Sequence, residues 1–234
     1  MPPLDAKKLL VISPHLDDAV LSCGALLAQV PEATVATVFA GIPRQADRLT
    51  AWDAASGFRD ARHAILSRRE EDRQALALLG VTPLWLDFCD SQYHETASLG
   101  ELSDAASALI GRTRPDTILF PAGLFHSDHA LVHDAVLALL QRHAGAAWFL
   151  YEEPWYRRVP GLLQERLARL LGDGIQATPA AGPDGGKAAA KREAVHCYAS
   201  QLRALERTAP HACADVWAPE NYWRLALAAG AGKS

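Results

Sequence analysis

Short apolar runs alternate with longer amphipathic stretches along the first two thirds of this chain. Residues 9–12, 34–39, 84–86, 117–120 and 147–151 are too short for helices and almost free of polar side chains, which is the pattern of strands buried on both faces. Residues 18–30, 59–79, 101–112 and 129–143 carry apolar positions at helical spacing, the last as Leu131, Val132, Ala135, Val136, Leu139 and Leu140. Gly80 and Pro115 stop two of these helices. Such alternation predicts an α/β fold with a mostly parallel sheet. Beyond residue 152 the pattern loosens. It gives a helix over 162–171, a strand over 174–178, one long Ala-rich helix over 187–207, and a short helix over 221–229. The turn-like Gly182-Pro183-Asp184-Gly185-Gly186 precedes the long helix, and 230–234 read as a frayed end. Residues 41–58 and 88–99 are irregular, and loops of that length usually serve function or move.

Composition narrows the picture. With 234 residues, half of them apolar, the chain can fill one large core, and neither an internal repeat nor a linker-like segment divides it, so a single domain spanning 1–234 is expected. A net charge of −4 leaves no basic footprint for nucleic acid or an anionic membrane. The N-terminal apolar stretch is too short for a signal peptide or a membrane span, so a cytoplasmic protein is expected. Cys23, Cys89, Cys197 and Cys213 form no Cys-x-x-Cys pair and are expected as free thiols, with Cys23 buried on the first helix. Oligomeric state is not legible.

Two polar clusters follow apolar runs. Pro14-His15-Leu16-Asp17-Asp18 comes after 9–12, and His126-Ser127-Asp128-His129 after 117–120. In open α/β sheets ligands bind beyond the carboxyl ends of the strands, where both clusters would lie. A catalytic zinc takes three protein ligands and keeps a position for water, a set that His15, Asp18 and His129 can supply. Asp17 is then free to act as general base on water whose pKa the metal lowers to about 7. His126 can stabilise an oxyanion or protonate a leaving amine, and Asp128 can hydrogen-bond His126 and raise its pKa. The parts make a metal-assisted amide hydrolase. Plainer uses compete: the paired carboxylates can cap the helix that starts there, Ser127 or Asp128 can cap the next one, and His15 alone can be a satisfied core histidine. His133, four residues after His129, is a rival ligand one turn further from the sheet. His63, His94, His143, His196 and His211 lack a partner at ligand spacing.

At these residues the sequence resembles the LmbE-like, or PIG-L-like, zinc-dependent N-acetylglucosaminyl deacetylases, over most of its length. The first family motif, usually His-Pro-Asp-Asp-Glu followed by a Gly, reads here as His15-Leu16-Asp17-Asp18-Ala19 with Gly24. The second, His-x-Asp-His, reads as His126-Ser127-Asp128-His129. Arg68-x-x-Glu71 with Leu79-Gly80, the loop at Asp90, and Lys191-x-x-Ala194-x-x-x-Tyr198-x-Ser200-Gln201 are similar to further family segments. The resemblance implies a Rossmann-like three-layer fold, zinc on His15, Asp18 and His129, Asp17 as base, and His126 in the oxyanion or acid role. Arg68 and Asp90 become candidate sugar contacts, although Arg68 with Glu71 can also be only a helical ion pair. Leu16 replaces the usual Pro and keeps both carboxylates; Ala19 replaces the usual Glu and removes an acid beside the site.

The expected reaction is hydrolysis of an N-acetyl group from an amino sugar or N-acetylglucosaminyl conjugate, by attack of metal-held water activated by Asp17. Alternatives are a zinc amidase acting on an acylated antibiotic sugar or a thiol conjugate, and a non-enzymatic sugar-nucleotide-binding module. The last is disfavoured because no Gly-x-Gly-x-x-Gly follows the first apolar run and two acids there would repel a phosphate. Trp52, Trp85, Trp155 and Tyr156 can stack on a sugar ring or simply pack.

Overall fold

The computed structural model describes residues 4–95, 97–182, 186–208 and 212–228. Its strands are β1 (Lys8–Ser13), β2 (Glu32–Thr37), β3 (Thr82–Trp85), β4 (Thr117–Pro121), β5 (Ala147–Tyr151), β6 (Ile175–Ala180) and β7 (Tyr222–Leu227), in one sheet ordered β3-β2-β1-β4-β5-β7-β6. The pairs from β3 through β5 are parallel, and β7 runs antiparallel to both β5 and β6. Strand side chains alternate between two cores. Leu9 and Val11 of β1 face one core with Leu119 and Phe149, whereas Leu10 and Ile12 face the other with Ile118, Phe120 and Leu150. That explains the uninterrupted apolar runs: both faces are covered.

The first core is roofed by α1 (Asp18–Leu27), α3 (Ala61–Leu78) and α7 (Ala188–His196), and the second by α4 (Leu99–Thr113), α5 (Ser127–Leu137) and α6 (Leu162–Gly172). The result is a three-layer α/β sandwich with a mostly parallel sheet. The irregular segment 41–58 contains a short helix, α2 (Ala51–Ser56), and 88–99 contains a single 3-10 turn at Ser91–Tyr93.

Two elements differ from the sequence pattern. Residues 222–227, expected as a helix, form β7, because the backbone there fills the space between β5 and β6 and pairs with both. Local propensity is the weaker constraint when two open strand edges are available. The long helix over 187–207 is two helices, α7 and α8 (Ala199–Thr208), broken where Tyr198 turns inward and donates its hydroxyl to Asp72 Oδ1 at 2.7 Å. The turn residues 183–185, His211, residues 229–234 and the side chain of Cys213 lie outside the described residues.

Candidate active site

The sheet changes direction between β1 and β4. From β1 the chain winds outward through β2 and β3; from β4 it winds the opposite way through β5. The loops after β1 and β4 therefore diverge and leave a crevice at their carboxyl ends, the usual ligand position in such sheets. Both polar clusters emerge there. Asp18 opens α1, and His126 is the N-cap of α5, its Nδ1 accepting the Asp128 backbone N–H at 3.2 Å.

Three atoms converge at the crevice floor. His15 Nδ1 and His129 Nε2 each lie 3.2 Å from Asp18 Oδ2 and 3.3 Å from one another. Ligands about 2.0–2.1 Å from a tetrahedral zinc sit about 3.3–3.4 Å apart, so this triangle has the dimensions of one face of such a site. His15, Asp18 and His129 are all buried. A second buried carboxylate stands behind each imidazole: Asp128 Oδ2 lies 3.0 Å from His15 Nε2, and Glu153 Oε1 lies 3.2 Å from His129 Nδ1. Burial opposes charge on both rings, yet Asp90, Asp128 and Asp18 raise His15 well above its usual range, and Asp18 with Glu153 raises His129 to about 9. Burial likewise opposes ionisation of Asp18, but His129 and His15 hold it well below the ordinary carboxylate range. The field between the three atoms favours positive charge, so a cation fits both their spacing and their potential.

Asp17 lines the same cavity, and burial followed by the Asp18 charge pushes its carboxyl up to about 7. His126 is different from expectation. Among the described residues the Asp128 carboxylate accepts from Ser91 N–H at 3.1 Å and faces His15, not the His126 ring. Burial, then the charges of His15 and His129, lower the His126 pKa despite Asp128. Because His126 Nδ1 accepts a backbone N–H, its own proton is assigned to Nε2. His133, the rival ligand, is spent elsewhere: its Nδ1 donates to Pro121 O at 2.8 Å, and burial lowers its pKa to about 3.

Arg68 and Asp90 are buried in the cavity wall, 3.9 Å apart, and Arg68 Nε has no hydrogen-bond partner among the described residues. Glu71 does not pair with Arg68. Its carboxylate instead accepts from the Ser200 N–H and hydroxyl at 2.9 and 2.6 Å, which joins α3 to the start of α8. The cavity holds about 320 Å³ and is walled by Trp52, Trp155, Tyr156, Gln92 and Gln201. Trp85 lies away from it, donating to Asp72 at 2.8 Å beneath Arg69. Glu153 is the residue that sequence reasoning missed, although Glu152-Glu153 directly follows an apolar strand, the same signal that marked the other two clusters.

The model for the family described as PIG-L, GlcNAc-PI de-N-acetylase, matches residues 10–140. The 2'-N-acetylparomamine deacetylase of Streptomyces fradiae is 33% identical over 146 residues, 55% of this chain and 50% of that protein, so the match spans half the length of this curated relative. Among solved structures, the deacetylase of the A40926 pseudoaglycone is 28% identical with a TM-score of 0.77, covering 97% of this chain and 100% of its own. A deacetylase triple mutant from the teicoplanin biosynthetic pathway is also 28% identical, with a TM-score of 0.76 over 96% of this chain and 100% of its own. With its matched segment reaching from the first strand through α5 and holding both polar clusters, the chain belongs to the PIG-L family.

Proposed function

We propose that this chain, acting as one domain over 1–234, removes the N-acetyl group from an amino sugar or N-acetylglucosaminyl conjugate with the help of a zinc ion on His15, Asp18 and His129. The observation that carries this reading is the triangle of 3.2, 3.2 and 3.3 Å between those donors on the floor of a cavity that also holds Asp17. When bound, the metal supplies positive charge that polarises the amide carbonyl and makes water a better nucleophile. Asp17, buried in the wall of the same cavity beside Asp18, takes a proton from the attacking water. His126, neutral and protonated on Nε2, donates a hydrogen bond to the carbonyl oxygen as it gains charge. The carbon–nitrogen bond then breaks, Asp17 returns its proton to the leaving amine, and acetate and amine are released.

Arg68 and Asp90 are proposed to hold sugar hydroxyls, with donors on the first and acceptors on the second. The cavity volume of about 320 Å³ is at the small end for ligand pockets and suits one sugar ring with its acyl group. Larger aglycones would lie outside it. A second reading, an acylated antibiotic sugar as substrate, is favoured by the aromatic wall of Trp52, Trp155 and Tyr156 and by the deacetylases of acetylparomamine, of the antimicrobial A40926 pseudoaglycone and of the teicoplanin pathway among the relatives. Free Cys23, Cys89 and Cys197 suit a reducing, cytoplasmic setting, and no helix among the described residues is long and apolar enough to cross a membrane.

The test is metal analysis together with acetate release from a panel of N-acetylated monosaccharides, aminoglycosides and glycopeptide pseudoaglycones. Asp17→Ala is expected to retain one zinc per chain while turnover is abolished; near-wild-type acetate release would show the base assignment to be wrong. His129→Ala is expected to lose the metal, and full zinc occupancy in that variant would sink the ligand assignment.

A further inference from the structure

We infer that Glu153 is a positioning residue for the metal site, its carboxylate fixing which nitrogen of His129 faces Asp18 and strengthening that nitrogen as a donor. The inference rests on the metal-centre reading above. Glu153 follows β5 and is 1% exposed, and its Oε1 alone serves three groups: it accepts the Gly123 and Leu124 backbone N–H groups at 2.9 and 3.0 Å and lies 3.2 Å from His129 Nδ1. With Nδ1 engaged as donor, His129 has only Nε2 to present toward Asp18 and His15.

The loop that Glu153 grips is the one from which α5 starts. Gly123 there has φ +74°, and a Cβ on it would come within 2.6 Å of the His133 Cβ, so the path is tightly specified. Pinning a loop needs only an acceptor, which a neutral amide would provide. A carboxylate is a costlier group to bury, and Glu153 Oε2 has no hydrogen-bond partner among the described residues. What the charge adds is an effect on the imidazole: a carboxylate behind a metal-binding histidine sets its tautomer and raises its basicity. The other imidazole repeats the arrangement. Asp128 Oδ2 stands behind His15 Nε2 at 3.0 Å and is itself gripped by the Ser91 N–H at 3.1 Å, again linking a ligand to a neighbouring loop.

Glu153→Gln separates the two roles, because the amide oxygen can still accept the two backbone N–H groups while the charge is gone. Zinc affinity of the full chain is measured by competition with a chromophoric chelator for wild type and Glu153→Gln, alongside thermal unfolding of the metal-free proteins. The expected result is one zinc per wild-type chain and an affinity about 10–100-fold weaker in Glu153→Gln, with metal-free unfolding little changed. Wild type without zinc would overturn the metal-centre reading and this inference together. Wild type with zinc and a variant of equal affinity would leave that reading standing and overturn the role of Glu153 alone. Should Glu153→Gln not fold, nitrogen-15 NMR of the zinc-loaded wild type decides: His129 with Nδ1 protonated and Nε2 on the metal supports the inference, and the reverse tautomer overturns it.

Discussion

Adjacent residues in this site have opposite electrostatic fates. Asp17 and Asp18 are neighbours in sequence and both buried, yet Asp18 touches two imidazoles and stays ionised, whereas Asp17 has no such contact and is pushed up to about 7. The environment divides a firmly ionised carboxylate from one poised near neutrality, which the dipeptide itself does not. His126 and His129 divide in the same way: His129 is drawn to about 9 by Asp18 and Glu153, while His126, half-buried and without a carboxylate hydrogen bond among the described residues, is lowered. A neutral His126 is expected to act on the transition state, although with His15 and Asp128 it also forms a second group of donors close enough to hold a metal ion. His126→Ala should lower kcat by roughly 10²–10³-fold with zinc content unchanged. Steady-state kinetics paired with metal analysis checks this, and loss of zinc with the activity would make His126 a ligand instead.

At the level of elements, the C-terminal part of the chain braces the helix that carries Arg68. Tyr198, at the α7–α8 break, and Trp85 of β3 both donate to Asp72 of α3, at 2.7 and 2.8 Å. Lys191 of α7 passes so close to α1 that a Cβ on Gly24 would lie 2.7 Å from its Cγ, and its Nζ pairs with Glu220 at 2.8 Å. The Lys191, Tyr198 and Ser200 positions of the late motif are thus structural, and Gln201, which accepts from Trp52 Nε1 at 3.1 Å, extends it to the cavity wall. Burial outweighs the two hydrogen bonds and the Arg68 charge and pushes Asp72 up to about 6. Because this folded value is above the unfolded one, the cost of the buried carboxylate is full above pH 7 and is relieved as pH falls toward 4, by roughly 3 kcal/mol. Stability of the wild type relative to Asp72→Asn should therefore rise on acidification across that window. Urea unfolding of both proteins from pH 7 to pH 4 measures it; a constant difference would mean that Asp72 titrates normally.

For the whole molecule, the site is a product of topology. Four carboxylates, Asp17, Asp18, Asp90 and Asp128, face one arginine and three histidines where the winding of the sheet reverses. A ligand that binds only this folded arrangement stabilises it by mass action. Zinc at a hundred times its dissociation constant should add about 2.7 kcal/mol, or roughly 5–10 °C in Tm for a chain of this size. Differential scanning fluorimetry of chelator-treated and zinc-loaded protein tests this, with His129→Ala expected to show no shift. Equal shifts in both proteins would place the stabilising ion elsewhere.

Much of this was legible in the chain itself. Strands buried on both faces need unbroken apolar runs, so β1, β4 and β5 and the parallel sheet could be read directly, and the two polar clusters stood out because each interrupts such a pattern. The strand β7 could not, since its conformation depends on the edges of β5 and β6, which exist only once the sheet has formed. The break at Tyr198 likewise depends on Asp72, more than a hundred residues away. Sequence determined which residues reach the crevice. Tertiary structure decided their partners, setting Asp128 behind His15 and Glu153 behind His129, because burial and charge act through distances in space that the order of residues does not contain.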